Sequence, residues 1–157
     1  TAAKNLSKKL NLTHHSAGDF FRKYMRKHNI PLYDKALIPD ELDNQIDLKL
    51  ANLAKDGGVV IDADYIGYFT RNMPQVLKVL LVCDYKERIR RALTRTHTHT
   101  ETEEDIKKRE EGLDAKFRKL YADENFLDPK FFDLMIDNTN IPEGETLTRI
   151  LKKLNDY

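Results

Sequence analysis

The fold is decided by the stretch Val59-Val60-Ile61-Asp62-Ala63-Asp64, which follows Gly57-Gly58. A short β-branched apolar run of this kind is typical of a strand that is buried on both faces in a parallel sheet. Its two acids fall at the carboxyl end of the strand, which is the edge where open α/β sheets bind ligands. The stretch therefore predicts an α/β protein whose functional site includes Asp62 and Asp64.

The composition bounds the class of protein. The 157 residues are 40% hydrophobic and 34% charged, with a net charge of +1. These values indicate a single globular domain spanning residues 1–157, and they provide no overall field that attracts nucleic acid or a membrane surface. The single cysteine, Cys83, excludes an internal disulfide and favours a reducing compartment. We expect a cytoplasmic monomer without nucleic-acid or membrane partners.

Strand and helix patterns alternate on both sides of the central stretch. Further strands are predicted over residues 12–15, 76–83 and 131–136. Apolar residues at helical spacing predict helices over residues 1–10, after Phe20, from Pro39 to 56, over 87–95 and 102–121, and after Pro142. This alternation indicates a parallel sheet with helices on both faces.

Several segments, taken in order, resemble one known family. Residues 1–10 resemble a helix that follows a phosphate-binding loop, and Ser16-Ala17-Gly18-Asp19 with Arg22 resembles an acceptor-binding turn and helix. Residues 59–67 resemble a strand with an acceptor-side loop. Residues 79–95, together with 109–121, resemble a strand, a lid and the helix that returns from the lid, and residues 132–139 resemble a last strand near an adenine site. The ordered set resembles P-loop nucleoside monophosphate kinases, closest to the cytidylate kinase-like family.

The resemblance implies a three-layer P-loop NTPase fold with an acceptor-binding helical insert at about 16–55 and a mobile lid at about 88–118. It implies transfer of a phosphoryl group from ATP, with Mg²⁺, to a small nucleotide acceptor such as CMP or dCMP. Asp62 would then act in catalysis by holding Mg²⁺ through water, whereas the alternative role for an acid at this position is a cap or a turn hydrogen bond.

Arginines in the implied lid match the family's catalytic cations. Arg88, Arg95 and Arg109 would stabilise the transferring phosphoryl group. Arg22 would bind the acceptor phosphate, one turn into a helix whose N-terminus favours an anion. The alternative for each is a solvated charge on a helix surface.

Other residues receive roles from the same resemblance. Ser16, Gly18 and Asp19 would form the acceptor turn, and Lys116 stands where the family pattern has an arginine. Lysine keeps the positive charge but loses the bidentate geometry of arginine. Thr1 and Thr139 would contact the ATP cofactor.

The sequence departs from the family in two ways. It contains no G-x-x-x-x-G-K-[ST] motif, which in the family would lie directly before the helix that begins at Thr1. We therefore expect a truncated chain that lacks roughly 15 residues and, with them, the central first strand of the sheet. The alternative is a degenerate, non-catalytic pseudo-kinase that binds a nucleotide or a partner. In either case we expect little or no kinase activity from these residues, and weak folding, because two strand edges would be unpaired.

Asp64 is the second departure, because the family typically has an arginine there that grips the acceptor phosphate. An aspartate would repel a phosphate, so the acceptor is either a monophosphate held by Arg22 and another base, or an unphosphorylated nucleoside or other small molecule. A metal site at His97 and His99 is disfavoured, because no partner ligand lies near them in the sequence.

Overall fold

The computed structural model describes residues 2–95 and 100–157. The strands are β1 (Thr13–Ser16), β2 (Val59–Asp62), β3 (Val79–Val82) and β4 (Leu134–Asp137). The helices are α1 (Ala2–Leu10), α2 (Ala17–Lys27), α3 (Asp40–Asp56), α4 (Ile66–Phe69), α5 (Tyr85–Thr94), α6 (Glu103–Leu120) and α7 (Glu143–Asn155). Two short 3₁₀ turns lie at Lys35–Leu37 and Pro129–Phe131.

Local chemistry explains where several elements begin and end. The Asp84 side chain caps α5, and Thr102 and Asp105 form a reciprocal capping box at the start of α6. Gly57 and Gly58 have φ values of 80° and 71°, which lie in the left-handed region that glycine adopts without strain. The pair therefore ends α3 and turns the chain into β2.

The strands form two parallel pairs. β1 pairs with β2 from Thr13 opposite Val59 to Ser16 opposite Asp62, and β3 pairs with β4 from Val79 opposite Leu134 to Val82 opposite Asp137. Between the pairs lies a cavity of about 640 Å³, lined by residues of both β2 and β3 together with α1 and α7. The sheet is thus divided at its middle, as expected from the sequence, and α1 contacts both β2 and α7 across the division.

Two sequence expectations about the strands are corrected. The β2 residues Val59, Val60 and Ile61 are only half-buried, not buried on both faces, because β2 faces the cavity on the side away from β1. The strands expected over 76–83 and 131–136 are shorter and shifted. Lys78 N–H donates to the Asp133 carboxylate at 2.9 Å, outside the ladder, and a 3₁₀ turn occupies Pro129–Phe131.

The main core lies beside the carboxyl end of β2. Buried Tyr65, Phe117 and Phe126 pack there with ring centroids 5.0–5.6 Å apart, in tilted and edge-on arrangements. A smaller buried cluster of Ile89, Ala92 and Ile106 joins α5 to α6. These contacts fix α6, and with it the predicted lid arginines, against the loop that follows β2.

Candidate active site

The turn between β1 and α2 forms one wall of the site. Ser16 Oγ accepts a hydrogen bond from the Asp19 backbone N–H at 3.2 Å and so caps α2. Arg22, one turn along α2, donates to Asp19 Oδ1 at 2.5 Å. A Cβ at Gly18 would lie 3.0 Å from Arg22 Nη1, so glycine lets this guanidinium pack closely against the turn.

Asp19 and Arg22 therefore form a charged pair. Partial burial acts to raise the pKa of Asp19, but the hydrogen bond and the positive charge of Arg22 outweigh it, so the pKa falls below its usual value. The ionised carboxylate keeps Arg22 oriented at the start of α2.

A small cavity lies where α2, α3 and α6 meet the carboxyl end of β2. Its volume is about 90 Å³, and its lining includes Gly18, Phe21, Arg22, Asp47, Asp64 and Arg109. Two arginines from distant parts of the chain thus face one space together with two carboxylates. The structure brings together four of the residues that the sequence predicted for the site: Gly18, Arg22, Asp64 and Arg109.

Asp64 lies at the mouth of this cavity. The dense protein around it raises its pKa, whereas the positive charge of Arg109 acts in the opposite direction, ahead of Lys35 and Arg22. More than a third of the residue surface nevertheless remains open to solvent. Water beside the carboxylate therefore screens its interactions with these three cations.

Asp47 is a cavity residue that the sequence reasoning missed. Its carboxylate accepts a hydrogen bond from Tyr121 Oη at 2.6 Å, and burial raises its pKa to about 6 despite that bond. The signal was present in the sequence, because Asp43 and Asp47 lie four residues apart and continue the helical face of Leu50 and Ala54, which is buried. Acids on the apolar face of a helix indicate a buried polar site.

The predicted lid arginines are engaged by carboxylates. Arg88 Nε lies 2.9 Å from Glu110 Oε1. Arg109 and Arg95 both contact Glu101, at 2.8 and 3.3 Å, and the Glu101 side chain is only 3% exposed. Sequence reasoning also missed Glu101, because nothing in its local pattern indicates burial.

Lys116 is not among the residues that line the cavity. Its ammonium is buried, 2.6 Å from Asp43 Oδ2, and it donates to the backbone carbonyls of Lys35 and Ile38. The structure therefore places Lys116 in a link between α6 and the start of α3. Contact with a substrate phosphate, the sequence prediction, would require Lys116 to leave this network.

The residues predicted for Mg²⁺ and ATP lie elsewhere. Asp62 ends β2 with an exposed side chain, and no described residue donates a hydrogen bond to its carboxylate, so the capping alternative is not observed. Thr139 Oγ1 accepts from Asp84 N–H at 2.9 Å and donates to Asp137 Oδ1 at 2.6 Å, which ties the loop after β4 to the start of α5. Thr1, His97 and His99 lie outside the described residues.

Neither a metal cluster nor a membrane helix is found in the parts of the chain that are described. Within residues 2–95 and 100–157, no group of three or more His, Cys, Asp or Glu side chains could hold a metal ion directly. The exposed carboxylate of Asp62 has the oxygen donors that a water-mediated Mg²⁺ contact, the predicted role of this residue, would use. Over the same residues, no helix combines the length and the apolar character needed to cross a bilayer.

Cations placed around one small cavity, as Arg22 and Arg109 are here, recur in proteins that transfer phosphoryl groups. The chain belongs to the cytidylate kinase-like family, whose pattern it matches over residues 1–140. It is 32% identical to a cytidylate kinase of Ignicoccus hospitalis, over 98% of this chain and 90% of that protein. It is 28% identical to a cytidylate kinase of Aeropyrum pernix, over 97% and 90% of the two chains.

A solved structure has the same fold. The crystal structure of an uncharacterized protein from Eubacterium ventriosum superposes with a TM-score of 0.65 over 99% of this chain and 90% of that chain. The two sequences are only 13% identical, so this likeness concerns the fold alone.

Proposed function

We propose that the protein binds a nucleoside monophosphate, CMP or dCMP, as the acceptor of a phosphoryl group from ATP. The observation that carries this proposal is the convergence of Arg22 and Arg109 on one cavity at the carboxyl end of β2. Guanidinium groups bind phosphate oxygens through paired, charge-assisted hydrogen bonds. Two of them on one small cavity favour an anionic ligand, and the cytidylate kinases among the relatives favour a cytidine nucleotide.

The two arginines of the site would have different roles. Arg22, oriented by Asp19, would hold the acceptor phosphate. Arg109 would contact the same phosphate and would neutralise charge on the phosphoryl group as it arrives. The cavity of about 90 Å³ has the volume of only about three water molecules in the liquid. A nucleotide would therefore need α2 or α6 to move outward before it binds, and the predicted lid would close over it afterwards.

ATP would supply the phosphoryl group, and Mg²⁺ would balance its charge. Asp62 is the residue proposed to hold Mg²⁺ through water. The sequence contains no G-x-x-x-x-G-K-[ST] loop, so no residue is assigned to the triphosphate, and Thr139 is already engaged with Asp84 and Asp137. We further propose that these 157 residues alone have little or no ATP-dependent activity, and robust turnover by them would contradict this.

Titration calorimetry with CMP, dCMP and cytidine tests acceptor binding directly and does not require turnover. We expect CMP to bind more tightly than cytidine, and Arg22→Gln to weaken CMP binding by roughly tenfold because a phosphate ligand is lost. Lys23→Gln is the matched control, since Lys23 is an exposed cation on the same helix. Equal binding of CMP and cytidine, or equal effects of the two substitutions, would refute the phosphate role.

The two carboxylates support a second candidate, a kinase of an unphosphorylated nucleoside or other small molecule. Asp47 and Asp64 line the same cavity and could accept hydrogen bonds from hydroxyl or amino groups. Asp64→Arg separates the two candidates. It should strengthen CMP binding if the cavity accepts a monophosphate, whereas unchanged or weaker binding favours the unphosphorylated acceptor. A single domain, a monomeric state and a cytoplasmic location remain predictions.

A further inference from the structure

Glu101, two residues before the start of α6, holds two of the predicted catalytic arginines. Arg109 Nε donates to Glu101 Oε2 at 2.8 Å, and Arg109 Nη2 donates to Oε1 at 3.3 Å. Arg95 Nη2 donates to the same Oε1 at 3.3 Å. The carboxylate is 3% exposed, whereas the side chains of Arg95 and Arg109 remain 35% and 31% exposed. A buried anion thus anchors two cations that are still partly open to solvent.

The geometry of the Arg109 pair leaves one side of its guanidinium available. A guanidinium carries five N–H donors, and Glu101 takes the edge formed by Nε and Nη2. No residue in the described parts of the chain accepts a hydrogen bond from Arg109 Nη1. Arg109 also lines the small cavity with Arg22 and Asp64. Glu101 thus occupies the Nε edge of a residue that lines the cavity, and the Nη1 side keeps its capacity to donate.

We propose that Glu101 is a positioning residue, which holds Arg109 by its Nε edge so that the Nη1 side meets the phosphate of the bound nucleotide. This inference rests on the proposed function, because it requires a phosphate in the cavity. An arginine side chain has several rotatable bonds, and a buried carboxylate that fixes one edge removes most of that freedom before the ligand arrives. Glu101 itself does not contact the ligand.

A double-substitution cycle tests the proposal with the 157-residue protein. The variants are Glu101→Gln, Arg109→Gln and the pair together, each titrated with CMP and with cytidine in a calorimeter. Glu104→Gln is the matched control, because it also removes a negative charge near the start of α6 but from a side chain that is 76% exposed.

We expect Glu101→Gln to weaken CMP binding by roughly tenfold, leave cytidine binding unchanged, and have no further effect on CMP once Arg109 is replaced. Equal weakening of both ligands would show that Glu101 only supports the fold, and the proposal would fail. Tighter CMP binding would also overturn it, because Glu101 would then compete with phosphate for Arg109. If the parent protein does not prefer CMP to cytidine, the proposed function fails first, and this inference falls with it.

A measurement on the unaltered protein covers the case in which Glu101→Gln does not fold. The Nε–H signal of Arg109 in an NMR spectrum, assigned by its loss in Arg109→Gln, should stay protected from exchange with water as CMP is added. Loss of that protection at saturating CMP would mean that the ligand pulls Arg109 away from Glu101, which contradicts the proposal.

Discussion

Replacing Lys116 with methionine should destabilise the fold rather than weaken ligand binding. The Lys116 side chain is 4% exposed, and Asp43, its ion-pair partner, is 1% exposed. Their 2.6 Å contact is an ion pair without the alignment of a hydrogen bond, since Asp43 Oδ2 has no hydrogen-bond partner. The ammonium also donates to the Lys35 carbonyl at 3.1 Å and to the Ile38 carbonyl. Methionine has a similar volume but can satisfy none of these groups.

The contacts set the size of the expected effect. Removing one partner of a buried ion pair costs about 3–5 kcal/mol, because it leaves the other charge uncompensated. Here Asp43 keeps Lys35, whose Nζ lies 2.6 Å from Oδ1, which reduces that loss. The Ile38 carbonyl loses a donor, which adds about 1 kcal/mol, whereas the Lys35 carbonyl still accepts from the Ile38 N–H. We therefore expect Lys116→Met to lower the free energy of unfolding by about 3 kcal/mol, or Tm by roughly 6–12 °C.

Urea denaturation followed by circular dichroism measures this difference. Lys119→Met is the matched control on the same helix, because Lys119 pairs with Asp40 at 2.8 Å but its side chain is 68% exposed. Exposed pairs contribute only about 0–1 kcal/mol. A Lys116→Met variant within about 1 kcal/mol of the Lys119 variant would refute the reasoning. If it instead lost CMP affinity at unchanged stability, Lys116 would be the phosphate ligand that the sequence predicted.

Two further predictions concern Asp47 and Gly67. The pKa of Asp47 is about 6 in the folded protein against an ordinary value of 3.8, so the folded state holds this proton more tightly than the unfolded state. The stability that this proton provides is fully present below pH 4 and is lost as the pH rises through 6. Relative to the parent, Asp47→Asn should thus become more stable by up to about 3 kcal/mol between pH 4 and 7 in urea titrations, and a constant difference would contradict the raised pKa. Gly67→Ala should cost about 1–3 kcal/mol, because the new Cβ would lie 2.5 Å from the Phe132 ring. In the control Gly144→Ala the new Cβ meets no atom within 4 Å, so this variant should be neutral or slightly stabilised in urea titrations. Equal free energies of unfolding for the two variants would count against the close contact at Gly67.

Much of the fold could be predicted from the sequence, because its signals are local. Thr102 and Asp105 form their capping box within three residues, and Gly57-Gly58 supplies the turn into β2 from its own backbone freedom. The apolar run at 59–61 identified the β2 strand. The family resemblance then gave the order of the pieces, and with it the division of the sheet.

The candidate site was only partly predictable. Arg22 and Arg109 were identified through the family pattern, and the structure places both on one cavity. The burial of Asp47 had a local signal in the helical spacing of Asp43, Asp47 and Leu50, but its partner Tyr121 lies 74 positions away and could not be predicted. Glu101 was missed because its burial depends on how α6 packs.

The sequence by itself thus determined the elements, their caps and their order, since these depend on residues within a few positions of each other. Only the tertiary structure decided the charged partners that lie far apart in the sequence, such as Lys116 with Asp43. The ammonium group of Lys116 can pair with either a phosphate or a buried aspartate, and its local sequence does not distinguish the two. Packing of α6 against the Lys35–Leu37 turn before α3 puts Asp43 within 2.6 Å of it, and the cost of burying either charge alone makes that pair the outcome.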